Sequence, residues 1–159
     1  LEAGVRVVMA HCASLGHAAD LDKSSAPRVA AFDLFARLMD ERAHASLLLG
    51  DVSAVLQINR KTDIARKLIE RDDWQPRLLH GSDYPLPGIP ILTRPQRLAD
   101  AGLLDAKAVP VLLQVREHNP LLFDFVLKRS VRSGGKRLST AVFETRRHFT
   151  TPPKVGIAR

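Results

Sequence analysis

Three polar residues each close a short apolar run: His11 after Val5 to Ala10, Asp51 after the run ending at Gly50, and Asp83 within RLLHGSDYPLP, Arg77 to Pro87. An imidazole and carboxylates gathered in one place can move protons or hold a divalent cation. Taken singly, each has a plainer use. His11 can be a hydrogen-bonded core histidine, and Asp83 can form an Asx-type turn leading into Tyr84-Pro85. The other histidines, His17, His44, His80, His118 and His148, form no H-x-H or H-E-x-x-H arrangement, so no complete metal site can be written from this chain.

Alternation along a strand sorts the neighbours. It puts His11 on the face of Val7 and Met9 and turns Cys12 away, which disfavours a Cys-His nucleophilic pair. By the same parity Asp83 sides with Gly81 and Leu79. His80 falls with Leu78 and reads as a residue packed against helices.

The elements that must position these side chains alternate. Apolar runs at Val5 to Ala10, Ala45 to Leu49 and Arg77 to Gly81 predict three strands, each without the polar alternation of a half-wet sheet and so buried on both faces. Between them, a long polar loop from His11 to Ser25 precedes a helix with Ser25 as N-cap and Pro27 in its first turn, running through Phe32, Phe35, Leu38 and Met39 to Arg42. Thr62 caps a second helix carrying Ile64, Leu68 and Ile69. Thr93 before Pro95 opens another that ends near Gly102, Asp105 to Glu117 forms the next, and Asn119-Pro120 starts the last, to about Val131. Strands alternating with helices predict a parallel α/β sheet, either doubly wound or a segment of a barrel. Neither G-x-G-x-x-G nor G-x-x-x-x-G-K-[ST] occurs, which lowers the nucleotide-binding option. In both architectures ligands bind at the carboxyl ends of the strands, where His11, Asp51 and Asp83 fall.

Composition is that of one globular domain: 159 residues, 45% hydrophobic and 26% charged. The longest apolar runs fall far short of the roughly 20 residues that span a bilayer. Cys12 is the single cysteine, so no intrachain disulfide can form; with no signal-peptide pattern at the start, a reducing, cytoplasmic setting is the expectation. The net charge of +7 is unevenly spread: residues 1–127 hold 15 Lys or Arg against 16 Asp or Glu, whereas 128–159 hold 9 against Glu144 alone. A basic stretch with Gly134-Gly135 and Pro152-Pro153 reads as a solvated extension.

VVMAHCASLG, LLLGDVSAV and RLLHGSDYPLP, in that order and spacing, resemble the last three barrel strands of the amidohydrolase superfamily. The likeness is greatest to its amidohydrolase-related branch, which includes decarboxylases acting on aromatic carboxylic acids. GSDYP with an upstream AHC carries most of it, and it covers Val5 to Phe123. The resemblance implies a partial (β/α)₈ TIM barrel: the last three βα units over residues 1–131, then a basic extension over 132–159. It further implies one or two divalent metals, usually zinc, at the carboxyl rim. Asp83 would be a metal ligand able to take a proton from bound water, and His11 would polarise the substrate or act as acid/base. Asp51 stays open between a place behind the metal and a structural strand end.

The H-x-H strand and fifth-strand histidine of that family are absent. The expectation is therefore the carboxyl-terminal part of a metal-dependent hydrolase or decarboxylase for a small-molecule substrate, inactive as an isolated chain. Unpaired strand edges predict self-association or marginal stability. The alternative is a non-enzymatic α/β module whose basic tail binds nucleic acid or another acidic partner; in the enzyme reading nucleic acid is not expected.

Overall fold

A computed structural model describes residues 1 and 4–150. The chain forms a mixed α/β fold around a three-stranded parallel sheet of β1 (Val7–Met9), β4 (Leu48–Asp51) and β5 (Leu78–Leu79), with β4 in the middle. Val7 pairs with Leu48, and Gly50 with Leu78. The sheet stays open, and no closed barrel forms among the described residues. Leu48, Leu49, Leu78 and Leu79 are buried, as strands covered on both faces require. The expected burial fails for the first strand: β1 lies at the sheet edge, and Val5 and Val8 are 61% and 40% exposed.

The polar stretch after β1 is not simply a loop. β2 (His17–Ala19) and β3 (Arg28–Ala30) pair antiparallel, and Asp20 N–H donates to Pro27 C=O, so Pro27 belongs to the hairpin rather than to a helix. At three residues each, the two strands are too short to show period-two patterning. Arg37 holds the hairpin from α1 (Ala31–Asp40), its guanidinium bonding both oxygens of buried Asp20 at 2.9 and 2.8 Å. α1 starts six residues after Ser25 and buries Phe32, Phe35, Ala36 and Met39, a single stripe at helical spacing.

α2 (Thr62–Glu70) buries Ile64, Ala65, Leu68 and Ile69 against the same core; Thr62 is its first residue and makes no side-chain cap. After β5 come α3 (Pro95–Asp100), α4 (Val109–His118) and α5 (Pro120–Ser130). Asn119 caps α5 through Leu122 N–H, and Asp105 accepts from Lys107 N–H ahead of α4.

The basic stretch folds back in part. The hairpin of β6 (Arg132–Ser133) and β7 (Lys136–Arg137) packs beside α2, and Leu138 and Val142 join the core with Trp74, Phe123 and Leu127. α6 (Thr140–Phe143) docks on β5, where His80 N–H donates to Val142 C=O, and α7 spans Arg147–Thr150. Lys128, counted by composition with the solvated stretch, is instead 1% exposed. Residues 151–159 lie outside the described part. Among the described residues no helix is long and apolar enough to cross a membrane.

Candidate functional site

Because β1, β4 and β5 run parallel, the segments that follow them emerge at one edge of the sheet. Asp51 ends β4. His11 and Asp83 lie beyond their strands, which stop at Met9 and Leu79, so strand alternation does not orient them as expected. The chain turns through three consecutive left-handed residues instead: His11 (φ 54°), Cys12 (φ 50°) and Ala13 (φ 49°). Left-handed backbone costs a side-chain-bearing residue roughly 1–2 kcal/mol. Strain of this kind persists where surrounding contacts over-determine it, commonly at functional sites.

Those contacts centre on Asp51. Ser53 N–H donates to Asp51 Oδ1 at 2.9 Å, and Ser53 Oγ–H donates to Asp51 Oδ2 at 2.5 Å. Ser53 Oγ also lies 2.6 Å from His11 Nδ1, while His11 N–H reaches Asp51 Oδ2 at 3.4 Å. A serine hydroxyl has one proton and a carboxylate can only accept. With that proton on Asp51, Nδ1 must be the donor to Oγ, which leaves Nε2 as the lone-pair nitrogen of a neutral His11. His11 Nδ1 is also 3.6 Å from Asp51 Oδ2, close enough for the carboxylate to balance an imidazolium. His11 is partly exposed and Asp51 half-buried.

Cys12 turns inward from the same bend. Its thiol is fully buried and donates to Asp51 C=O at 3.2 Å; burial first, then the Asp51 charge, push its pKa well above the ordinary value. The thiolate needed for nucleophilic attack is thereby disfavoured.

Behind β5 lies a second cluster. Lys128 Nζ donates to Gly81 C=O at 2.7 Å and to Asp124 Oδ2 at 2.6 Å, tying α5 to the start of the GSDYP turn. Burial lowers the Lys128 pKa against the pull of Asp124 and raises Asp124 to about 6. His80 packs as expected against the helical layer, its ring centroid 5.7 Å from Phe125 and 5.1 Å from Phe143. Burial, then the Lys128 charge, pull its pKa down to about 4.

Asp83 is partly buried, with φ 57°, a conformation Asp tolerates better than most residues. It and His11 follow the two outer strands, which a three-stranded sheet sets about 10 Å apart. No hydrogen bond or ion pair joins them among the described residues. What links the two halves of the rim is electrostatic: Asp51 and Asp83 both act on the Lys128–Asp124 pair. Gly81 lets the third strand end approach the second, since a Cβ there would sit 2.7 Å from Asp51 Oδ1.

These residues do not by themselves fit a metal. Among the described residues no three His, Cys, Asp or Glu side chains are placed to hold one, and the Nδ1 of His11 is committed to Ser53.

Ser53, Lys128 and Asp124 were not singled out as site residues by the sequence. Ser53 sits two residues past a strand-end aspartate, the spacing of an Asx turn, which is the one signal that could have found it. The i, i+4 spacing of Asp124 and Lys128 marks an ordinary surface pair as readily as a buried one.

Comparison with protein-family models, with curated proteins and with solved structures finds no match to this chain.

Proposed function

We propose that this chain forms part of the carboxyl-end rim of a hydrolase- or decarboxylase-type active site, on an amidohydrolase-like partial (β/α)₈ barrel of which β1, β4 and β5 would be the last three strands. The carrying observation is the Asp51–Ser53–His11 chain at the end of a parallel strand, which presents an imidazole with its tautomer set. In this reading His11 Nε2 takes a proton from, or returns one to, the reacting group of a small carboxylic acid, amide or ester. The imidazolium that results is balanced by Asp51 directly and through Ser53. Asp83 is the carboxylate of the third strand end and, by resemblance, a ligand for a divalent metal such as zinc. The further ligands would come from outside the described residues.

This reading predicts no turnover by the isolated chain and incomplete zinc retention. The test is metal analysis after dialysis of the zinc-loaded chain. Substoichiometric zinc that falls further in Asp83→Asn supports it. One tightly held zinc indifferent to Asp83 contradicts it.

A further inference from the structure

Ala30 and Lys61, the residues that precede α1 and α2, both line one pocket of about 160 Å³, and neither caps its helix with a side chain. First-turn N–H groups of a helix carry partial positive charge and need acceptors. Two such ends alone would not make a site. The rest of the wall adds the Lys61 ammonium, the Asn59 amide, the His17 imidazole and the Ser14 hydroxyl, with Phe32 and Ile64 as its apolar side. Ser14 is the informative member. It is 6% exposed, and its Oγ has no hydrogen-bond partner among the described residues. Its backbone is held by the left-handed turn, Ser14 N–H donating to His11 C=O at 3.0 Å. A buried hydroxyl without a partner costs the fold free energy that a ligand oxygen would return.

Charge selects the ligand. Among the described residues no carboxylate lines this pocket, whereas the adjoining hollow of about 230 Å³, which shares Phe32, Lys61 and Ile64 with it, sets Asp33 and Asp63 against Lys61 and Lys67. An anion is therefore favoured in the first and not in the second. Donors converging from two helix ends, an ammonium, an amide and a hydroxyl suit a tetrahedral set of oxygens better than the two coplanar oxygens of a carboxylate. Volume limits the remainder of the ligand, since pockets for drug-sized molecules measure roughly 300 Å³ or more. We propose that this pocket binds the phosphate group of a small phosphate monoester, held by Lys61, Ser14 and the amino ends of α1 and α2. The inference does not depend on the hydrolase reading.

The test is titration of the full chain with inorganic phosphate and with ethyl phosphate, at constant ionic strength in chloride, followed through backbone amide signals in NMR. Benzoate serves as the planar anion. The expected result is a saturable shift at Phe32, Thr62 and Asp63, with ethyl phosphate bound at least as tightly as inorganic phosphate and benzoate about tenfold more weakly. Ser14→Ala should weaken both phosphates about tenfold while leaving the thermal midpoint of the free protein unchanged or higher, because the hydroxyl it removes has no partner there. Lys61→Gln, at an exposed position, should also weaken them about tenfold. The inference is overturned by the absence of a saturable shift, by shifts spread over the basic residues of 128–150 instead, or by benzoate binding as tightly as phosphate. Exclusion of ethyl phosphate overturns it as well, and so does binding that either variant leaves intact.

Discussion

His11 Nδ1 lies 2.6 Å from Ser53 Oγ, whose only proton is committed to Asp51. A three-membered chain of this kind orients an imidazole as second-tier partners orient metal-bound or catalytic histidines elsewhere. Removing its middle member should show its worth. Ser53→Ala is expected to cost about 1–3 kcal/mol, because the Asp51 carboxylate and Nδ1–H lose their shared partner. Urea unfolding reads the loss, and imidazole ¹⁵N shifts should move from one Nδ1–H tautomer to a mixture. An unchanged tautomer in Ser53→Ala would show that the serine does not set it.

The buried Lys128–Asp124 pair makes a sharper stability prediction. Lys128→Met leaves Asp124 buried without its partner and frees Gly81 C=O, an expected loss of about 3–5 kcal/mol. Replacing both, Lys128→Met with Asp124→Leu, should recover much of that loss, since no lone charge remains. Denaturant midpoints of the two variants decide it: a double variant no better than the single one would locate the damage in packing.

The pH dependence of stability should carry the mark of His80. Its folded pKa is depressed to about 4 from an ordinary 6.5, so the stability it contributes is present above the unfolded pKa and is lost as pH falls from 6.5 toward 4. Asp124, raised to about 6, works the other way: its contribution is present below its ordinary 3.8 and lost as pH rises toward 6. Over the shared window the two slopes oppose each other. His80→Phe removes the histidine slope from a site already lined by Phe125 and Phe143, and should leave a protein whose stability falls as pH rises between about 4 and 6. Urea midpoints at the two pH values check the sign; a variant as flat as the parent would mean His80 titrates normally.

The sheet edge gives a prediction about association. Val8, 40% exposed on the edge strand β1, sits beside unpaired backbone groups, the usual template for edge-to-edge pairing. Sedimentation should show association rising with concentration in the parent and reduced in Val8→Lys. A parent that stays monomeric at high concentration removes this expectation.

Much of the layout was legible because it rests on periodicity. Phe32, Phe35 and Met39 at helical spacing located α1, Asn119-Pro120 located α5, and the apolar runs located the parallel strands in their order. What was hidden depended on pairing at a distance or on local backbone strain. The His17–Ala19 and Arg28–Ala30 hairpin has no apolar alternation to betray it. The left-handed turn at His11 to Ala13 overrode the strand parity that would have oriented His11 and Cys12. Lys128 looked like one of many surface cations until α5 carried it under Gly81. Asp51, left open between two roles by its position alone, acquires its place from Ser53, a contact two residues away that alternation cannot predict.

The proposed site requires positions 11 and 83 to face one mouth of the sheet. A nitroxide attached at Asp83→Cys, in a Cys12→Ser background, should broaden the ring signals of His11 far more than those of His44, which precedes β4 at the amino end of the sheet. Broadening of His44 with His11 left sharp would place the two side chains apart and contradict the assignment.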